Sequence, residues 1–155
     1  MGYEIEAIIA KTDTLALLSR SCKNAQVISL KQGFGLIPLI DELFDEWQSV
    51  RSQHKADPFT GFSRLSSAVA DQLRELSKSG QVAYIEAEFF GGVGGQSSVA
   101  WTNNRVSFGP EHTQDAINQV LRHLGVVNAA HDEFDTLGLG QNRHTERWGQ
   151  PKRVP

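Results

Sequence analysis

Residues 3–10, YEIEAIIA, alternate apolar and polar positions and then run continuously apolar, the pattern of a moderately buried β-strand. Asp13 or Thr14 is placed to cap a short helix carrying Leu15, Leu17 and Leu18. A second strand is predicted over 25–30 (AQVISL), and KQGFG (31–35) reads as a turn whose glycines take positive φ cheaply. Pro38 then suits the first position of a helix over 38–50, where its missing N–H leaves no bond unmade. Leu39, Leu43, Trp47 and Val50 recur there at helical spacing, widened by Ile40 and Phe44. Asp41 and Glu42 fall in the first turn or so, where the helix dipole favours acids. After a polar connector (51–61) containing Pro58, a helix over 63–79 is predicted. Ser63 is its cap, Phe62, Leu65, Val69, Leu73 and Leu76 form its stripe, and Gly80 is its left-handed stop.

QVAYIEAEFF (81–90) alternates strictly. Ala83, Ile85, Ala87 and Phe89 share one face, and Tyr84, Glu86, Glu88 and Phe90 the other. QSSVAWT (96–102) and RVSFG (105–109) are two further strands, joined by Asn103-Asn104, a pair that suits a type I′ turn. A three-stranded antiparallel meander over 81–109 follows. The last clear helix spans 113–124, with Ala116, Ile117, Val120, Leu121 and Leu124 facing the core and Gly125 as its stop. HDEFDTLGLG (131–140) is acidic with a small apolar knot, and 150–155 reads as a flexible tail. The expected fold is a single α+β domain over 1–149, with a mainly antiparallel central sheet and three main helices packed on it.

A chain of 155 residues is long enough to bury a core of its own. A net charge of −3 points away from nucleic acid as a partner. No apolar run reaches the ~20 residues that span a bilayer. The N-terminus carries early acids rather than a basic leader, which favours a cytoplasmic location. The one cysteine, Cys22, has no partner for an internal disulfide and no metal-ligand spacing around it, and reads as structural.

Four glycines in FFGGVGGQSSVAW (89–101) raise the possibility of a phosphate cradle. A P-loop requires a lysine after its last glycine, and a dinucleotide turn must open a helix. Here Gln96 and Ser97 follow Gly95 and a strand comes next, so the segment reads as a hairpin loop that also lets a partner's backbone approach. Glu86 and Glu88 lie about 6.8 Å apart along one strand face. That separation falls within the range used by inverting glycosidases, but it is also that of any solvated strand face. Ser97-Ser98 lies inside a strand, not on a nucleophile elbow. The five histidines form no compact ligand pair, and His131 beside Asp132, Glu133 and Asp135 lacks the calcium-loop pattern. No metal or cofactor is expected. Residues 1–50 carry seven acids against four bases, and Glu86/Glu88 and Asp132/Glu133/Asp135 add two further acidic patches. Patches that converge would meet a basic partner and speed its encounter.

LKQGFGLIPLIDELFDEW, VAYIEAEFFGGVGGQSSVAW, DAINQVLRHLGV and DEFDTLGLGQNRHTERW, about half the chain, together resemble a group of small bacterial immunity proteins. These belong to polymorphic-toxin and contact-dependent growth inhibition systems. The extension GQPKRVP past Trp148 has no counterpart in that pattern. The resemblance implies binding rather than catalysis, with a cognate toxin domain neutralised by occlusion of its active site or an exosite. Nuclease toxins are commonly basic, which suits an acidic inhibitor. Glu86, Glu88, Asp132, Glu133 and Asp135 are the candidate electrostatic contacts and Trp148 the candidate apolar anchor, since interface energy concentrates in a few such groups. Two other readings stay open. One is a small cytoplasmic hydrolase using the paired strand carboxylates, which requires a concave site and a carboxylate of raised pKa. The other is a non-catalytic homo-oligomer joined through Tyr84, Phe90 and Trp101.

Overall fold

The computed structural model describes residues 2–49, 59–90, 93–128 and 132–148. These residues form a six-stranded sheet in the order β2-β3-β1-β4-β5-β6. Its strands are β1 (Tyr3–Lys11), β2 (Ile28–Ser29), β3 (Phe34–Pro38), β4 (Val82–Phe90), β5 (Val93–Thr102) and β6 (Arg105–Glu111). Every pairing is antiparallel. The α+β fold is as expected, but the described residues hold five α-helices where three main ones were predicted. They are α1 (Thr12–Ser21), α2 (Asp41–Gln48), α3 (Ser67–Leu76), α4 (Ala116–Leu124) and α5 (Glu133–Leu137). Two short 3-10 turns, Leu139–Gln141 and Thr145–Arg147, follow. The tail expected over 150–155 and most of the connector 51–61 lie outside the described residues.

The period-2 alternation of the strands gives the sheet two apolar faces, each covered by helices. On one, Ile8, Ala10, Val82, Tyr84, Val99 and Trp101 pack under Leu15 and Leu18 of α1, Leu43 and Trp47 of α2, and Val69 and Leu73 of α3. On the other, Ile5, Ala7, Ile9, Ala83, Ile85 and Ala87 pack under Ile117, Val120 and Leu121 of α4, Leu137 of α5, and Trp148. Cys22 is buried and accepts a hydrogen bond from Trp47 Nε1 at 3.3 Å, so it serves the core.

Three local expectations are corrected. Pro38 ends β3 instead of opening a helix. It pairs with Ala7 beyond the point where β2 has run out, so its missing N–H interrupts no ladder. The helix then starts at Asp41, with Asp41 and Glu42 in its first turn. Ser66, not Ser63, caps α3, its hydroxyl accepting from the Val69 N–H at 3.2 Å. That helix ends at Ser77 in a right-handed conformation. Gly80 instead serves close packing, since a Cβ there would lie 2.5 Å from Thr14 Oγ1.

The meander holds throughout. Asn103 and Asn104 take φ of 52° and 70°, as a type I′ turn requires. The hairpin between β4 and β5 is longer than predicted, because Gly94 and Gly95 are strand residues paired with Phe89 and Glu88. A side chain on Gly94 would run into the Glu88 carbonyl. Gly91 and Gly92 lie outside the described residues.

Candidate functional site

On the face that carries Ile8, Tyr84 and Val99, the chemistry changes toward the open end of the β4–β5 hairpin. The next cross-strand row is Glu6, Glu86 and Ser97, and the one after it is Glu4, Glu88 and Gly95. Four glutamates thus meet on one sheet face through the β1–β4 register. They form the floor of a recess of about 360 Å³, walled by Gly61, Ser63, Ser97 and His112. A smaller recess of about 260 Å³ shares Glu4 and Glu6 and is bounded by Arg64, Thr145 and Glu146.

The wall opposite the sheet is fixed by Glu86, which is only 7% exposed. Its carboxylate accepts from the backbone N–H of Ser63 at 2.6 Å and of Arg64 at 2.8 Å, and from the Tyr84 hydroxyl at 2.6 Å. A buried carboxylate needs such donors. Burial, and then the charge of Glu86, push the Tyr84 phenol well above its ordinary value. Arg64 reaches over the recess, with Nε 3.0 Å from Glu6 Oε2 and its other end on Asp41. His112 closes a further side. Its Nδ1 lies 2.7 Å from Ser97 Oγ, and its ring meets Phe62 edge-on at 5.0 Å. Gly61 permits this, because its φ is +91° and any Cβ would strike the imidazole.

Glu4 and Glu6 share a hydrogen bond and are pushed in opposite directions. Burial raises Glu6 to about 8, helped by the hydrogen bond and charge of Glu4 and by the charge of Glu86, against the pull of Arg64. Burial alone would raise Glu4 as well, but the bonds it accepts from Glu6 and Thr145 hold it below its ordinary value. The Thr145 hydroxyl donates to Glu4 Oε2 at 2.7 Å. Glu6 thus holds its proton to a higher pH than an ordinary carboxyl, and among the described residues the Arg64 guanidinium lies at the edge of the recess.

The structure brings Glu86 and Glu88 into this recess, Glu88 exposed and Glu86 held as a structural acceptor. The remaining predicted contacts do not join them. Asp132 and Asp135 sit at the start of α5, which packs with α4 over the opposite sheet face. Asp132 caps that helix by accepting from the Asp135 N–H at 2.9 Å. Glu133 is 1% exposed and bound to Arg122 at 2.7 Å. Trp148 is 3% exposed in the second core. Glu133 and Trp148, read as an electrostatic contact and an apolar anchor, are thus both buried in this structure. Of the apolar groups read as an oligomer interface, Tyr84 and Trp101 are fully buried and Phe90 alone is exposed.

Sequence reasoning missed Glu4, Glu6, Arg64, Ser97 and His112 as site residues. The alternation of 3–6 did place Glu4 and Glu6 on one face; only the β1–β4 pairing puts that face beside Glu86 and Glu88. The described residues hold no group of three or more His, Cys, Asp or Glu side chains arranged to bind a metal ion. No described helix is long and apolar enough to cross a membrane. Comparison with models of known protein families, with curated proteins and with solved structures found no match.

Proposed function

We propose that this chain is an immunity protein that neutralises a basic bacterial toxin domain by binding it. The observation that carries the reading is the carboxylate-lined recess, where Glu4, Glu6, Glu86 and Glu88 converge from two adjacent strands with Arg64 beside them. Such a surface attracts cationic partners and speeds their encounter. The resemblance of the glycine hairpin and the DEFDTLGLG segment to immunity proteins names the kind of partner. The test mixes the purified chain with the product of the adjacent upstream gene in about 0.15 M salt and separates the mixture by gel filtration. Co-elution is expected. If no neighbour-encoded toxin domain forms a complex, the reading fails.

One observation favours a second reading, hydrolysis by paired carboxylates. In a concave site, two carboxyl groups whose environments drive their pKa values apart form an acid–base pair, and Glu6 and Glu4 meet that description. On this reading Glu6 is the general acid and the ionised Glu4 the base, with Glu86 occupied by its three donors. The expected result is turnover of nitrophenyl esters whose alkaline limb, near pH 8, disappears in Glu6→Gln. Rates equal to buffer alone rule it out.

A further inference from the structure

The face that bears the recess does not end in charge. One row beyond Glu88 and Gly95 comes the cross-strand pair Phe90 and Val93, each 78% exposed and both on that same face. Phe90 and Val93 are cross-strand neighbours, so they form a contiguous apolar patch beside the acidic rows, and such polar-rimmed patches mark interaction sites. Gly95 adds to this. Nothing lies within 4 Å of where its Cβ would be, so the side of Glu88 is left uncovered.

We propose that the outer part of the β4–β5 hairpin, Phe90 and Val93 together with Glu88 and the recess behind it, is a docking surface for a basic folded protein. The partner presents a lysine or arginine to Glu88 and Glu4 and an apolar cleft to the Phe90–Val93 pair. Charge complementarity selects this occupant. A second copy of this acidic chain would bring a like-charged recess to the same face. The proposal rests on the binding role above and specifies its surface.

The two halves of the surface have separate kinetic signatures. Rim charge governs association and its salt dependence, whereas desolvated apolar anchors govern dissociation. The experiment immobilises the neighbour-encoded toxin domain and measures association and dissociation rates of the full chain in low and high salt. Phe90→Ser and Val93→Ser are each expected to raise the dissociation rate about 10- to 100-fold and leave association nearly unchanged. Glu88→Gln is expected to slow association about 3- to 10-fold at low salt and to flatten its salt dependence. Leu17→Ser, an exposed apolar position on α1 at the other end of β1, is the control and should match wild type. Thermal melts run alongside confirm folding, and three independent variants guard against the failure of one. If the wild type binds and all three hairpin variants bind as it does, the surface is wrong while the immunity reading stands. If the wild type binds nothing, both fall. If the free chain elutes as a dimer that Phe90→Ser dissociates, the occupant is a second copy and the proposal is overturned.

Discussion

Glu86→Ala is expected to lower the unfolding free energy by about 3 kcal/mol. For a domain of this size that corresponds to a fall in Tm of roughly 6–12 °C. Three donors converge on this one carboxylate, the N–H groups of Ser63 and Arg64 and the hydroxyl of Tyr84. Truncation removes their acceptor while Tyr84 stays fully buried, and an orphaned buried donor is left with its full desolvation penalty. Exposed neighbours such as Glu88 have no such role, so Glu88→Ala should stay within about 0.5 kcal/mol of wild type. Glu86→Gln separates shape from charge. It keeps the volume and one acceptor oxygen, but turns an NH2 group toward a donor, and should lose roughly half as much as the alanine variant. Urea and thermal unfolding read all three. An alanine variant as stable as wild type would mean that the 63–64 segment is held by something other than Glu86. The same substitution frees the wall carrying Ser63 and Arg64, so partner binding should weaken along with stability.

The parts of the fold that were legible in the sequence are those encoded by neighbours in the chain. The meander over 81–109 follows from strict alternation and from two asparagines that tolerate positive φ. Helix α4 follows from its apolar stripe and from Gly125, which takes φ of 99° at its end. FGLIP, which became β3, is buried at all five positions, so it shows no alternation at all. A short apolar run before a proline and an acidic cluster reads equally well as the start of a helix. The partly hidden Glu4 and Glu6 show the same limit at the level of the site. Their shared face is local information. Their meeting with Glu86 and Glu88, about eighty residues away, depends on β1 lying between β3 and β4 in the sheet.

Burial of the predicted contacts has the same origin. Asp132, Glu133 and Asp135 read as one acidic patch, yet a helix start separates their roles. Asp132 caps, Asp135 points outward, and Glu133 turns in to meet Arg122. Trp148 lies past the last periodic element, where an exposed anchor was a reasonable expectation. The 3-10 turn Thr145–Arg147 just before it is tied to β1, with Thr145 hydrogen-bonded to Glu4 and the Glu6 N–H. That attachment draws Trp148 onto the second core and also lowers the pKa of Glu4. Thr145 thus borders the recess and helps set the charge of Glu4 within it.

The stability of the chain is expected to fall as pH rises from about 5 to about 8, and Glu6 is the reason. Its folded pKa is raised from the ordinary 4.5 to about 8 by burial and by the carboxylates of Glu4 and Glu86, with Arg64 opposing them. Below the unfolded value both states hold the proton, and pH has no effect through this group. Between the two values the folded state keeps the proton that the unfolded chain has released. Linkage then makes the slope negative, by at most about 1.4 kcal/mol per pH unit for one proton. Above about 8 both states are ionised and the loss levels off. The pull of Arg64 is already contained in the folded value, so the total loss should be at most about 5 kcal/mol. Glu4 acts in a different window. Its folded pKa is lowered, so its contribution is present above the unfolded value and is lost as pH falls through the folded one. Urea midpoints for wild type and Glu6→Gln at about pH 5, 6.5 and 8 isolate the effect, because glutamine keeps the volume and never ionises. The variant should match wild type at the acid end and exceed it at the alkaline end. A wild type that keeps pace with Glu6→Gln through this window would show that Glu6 releases its proton at the ordinary carboxylate pH.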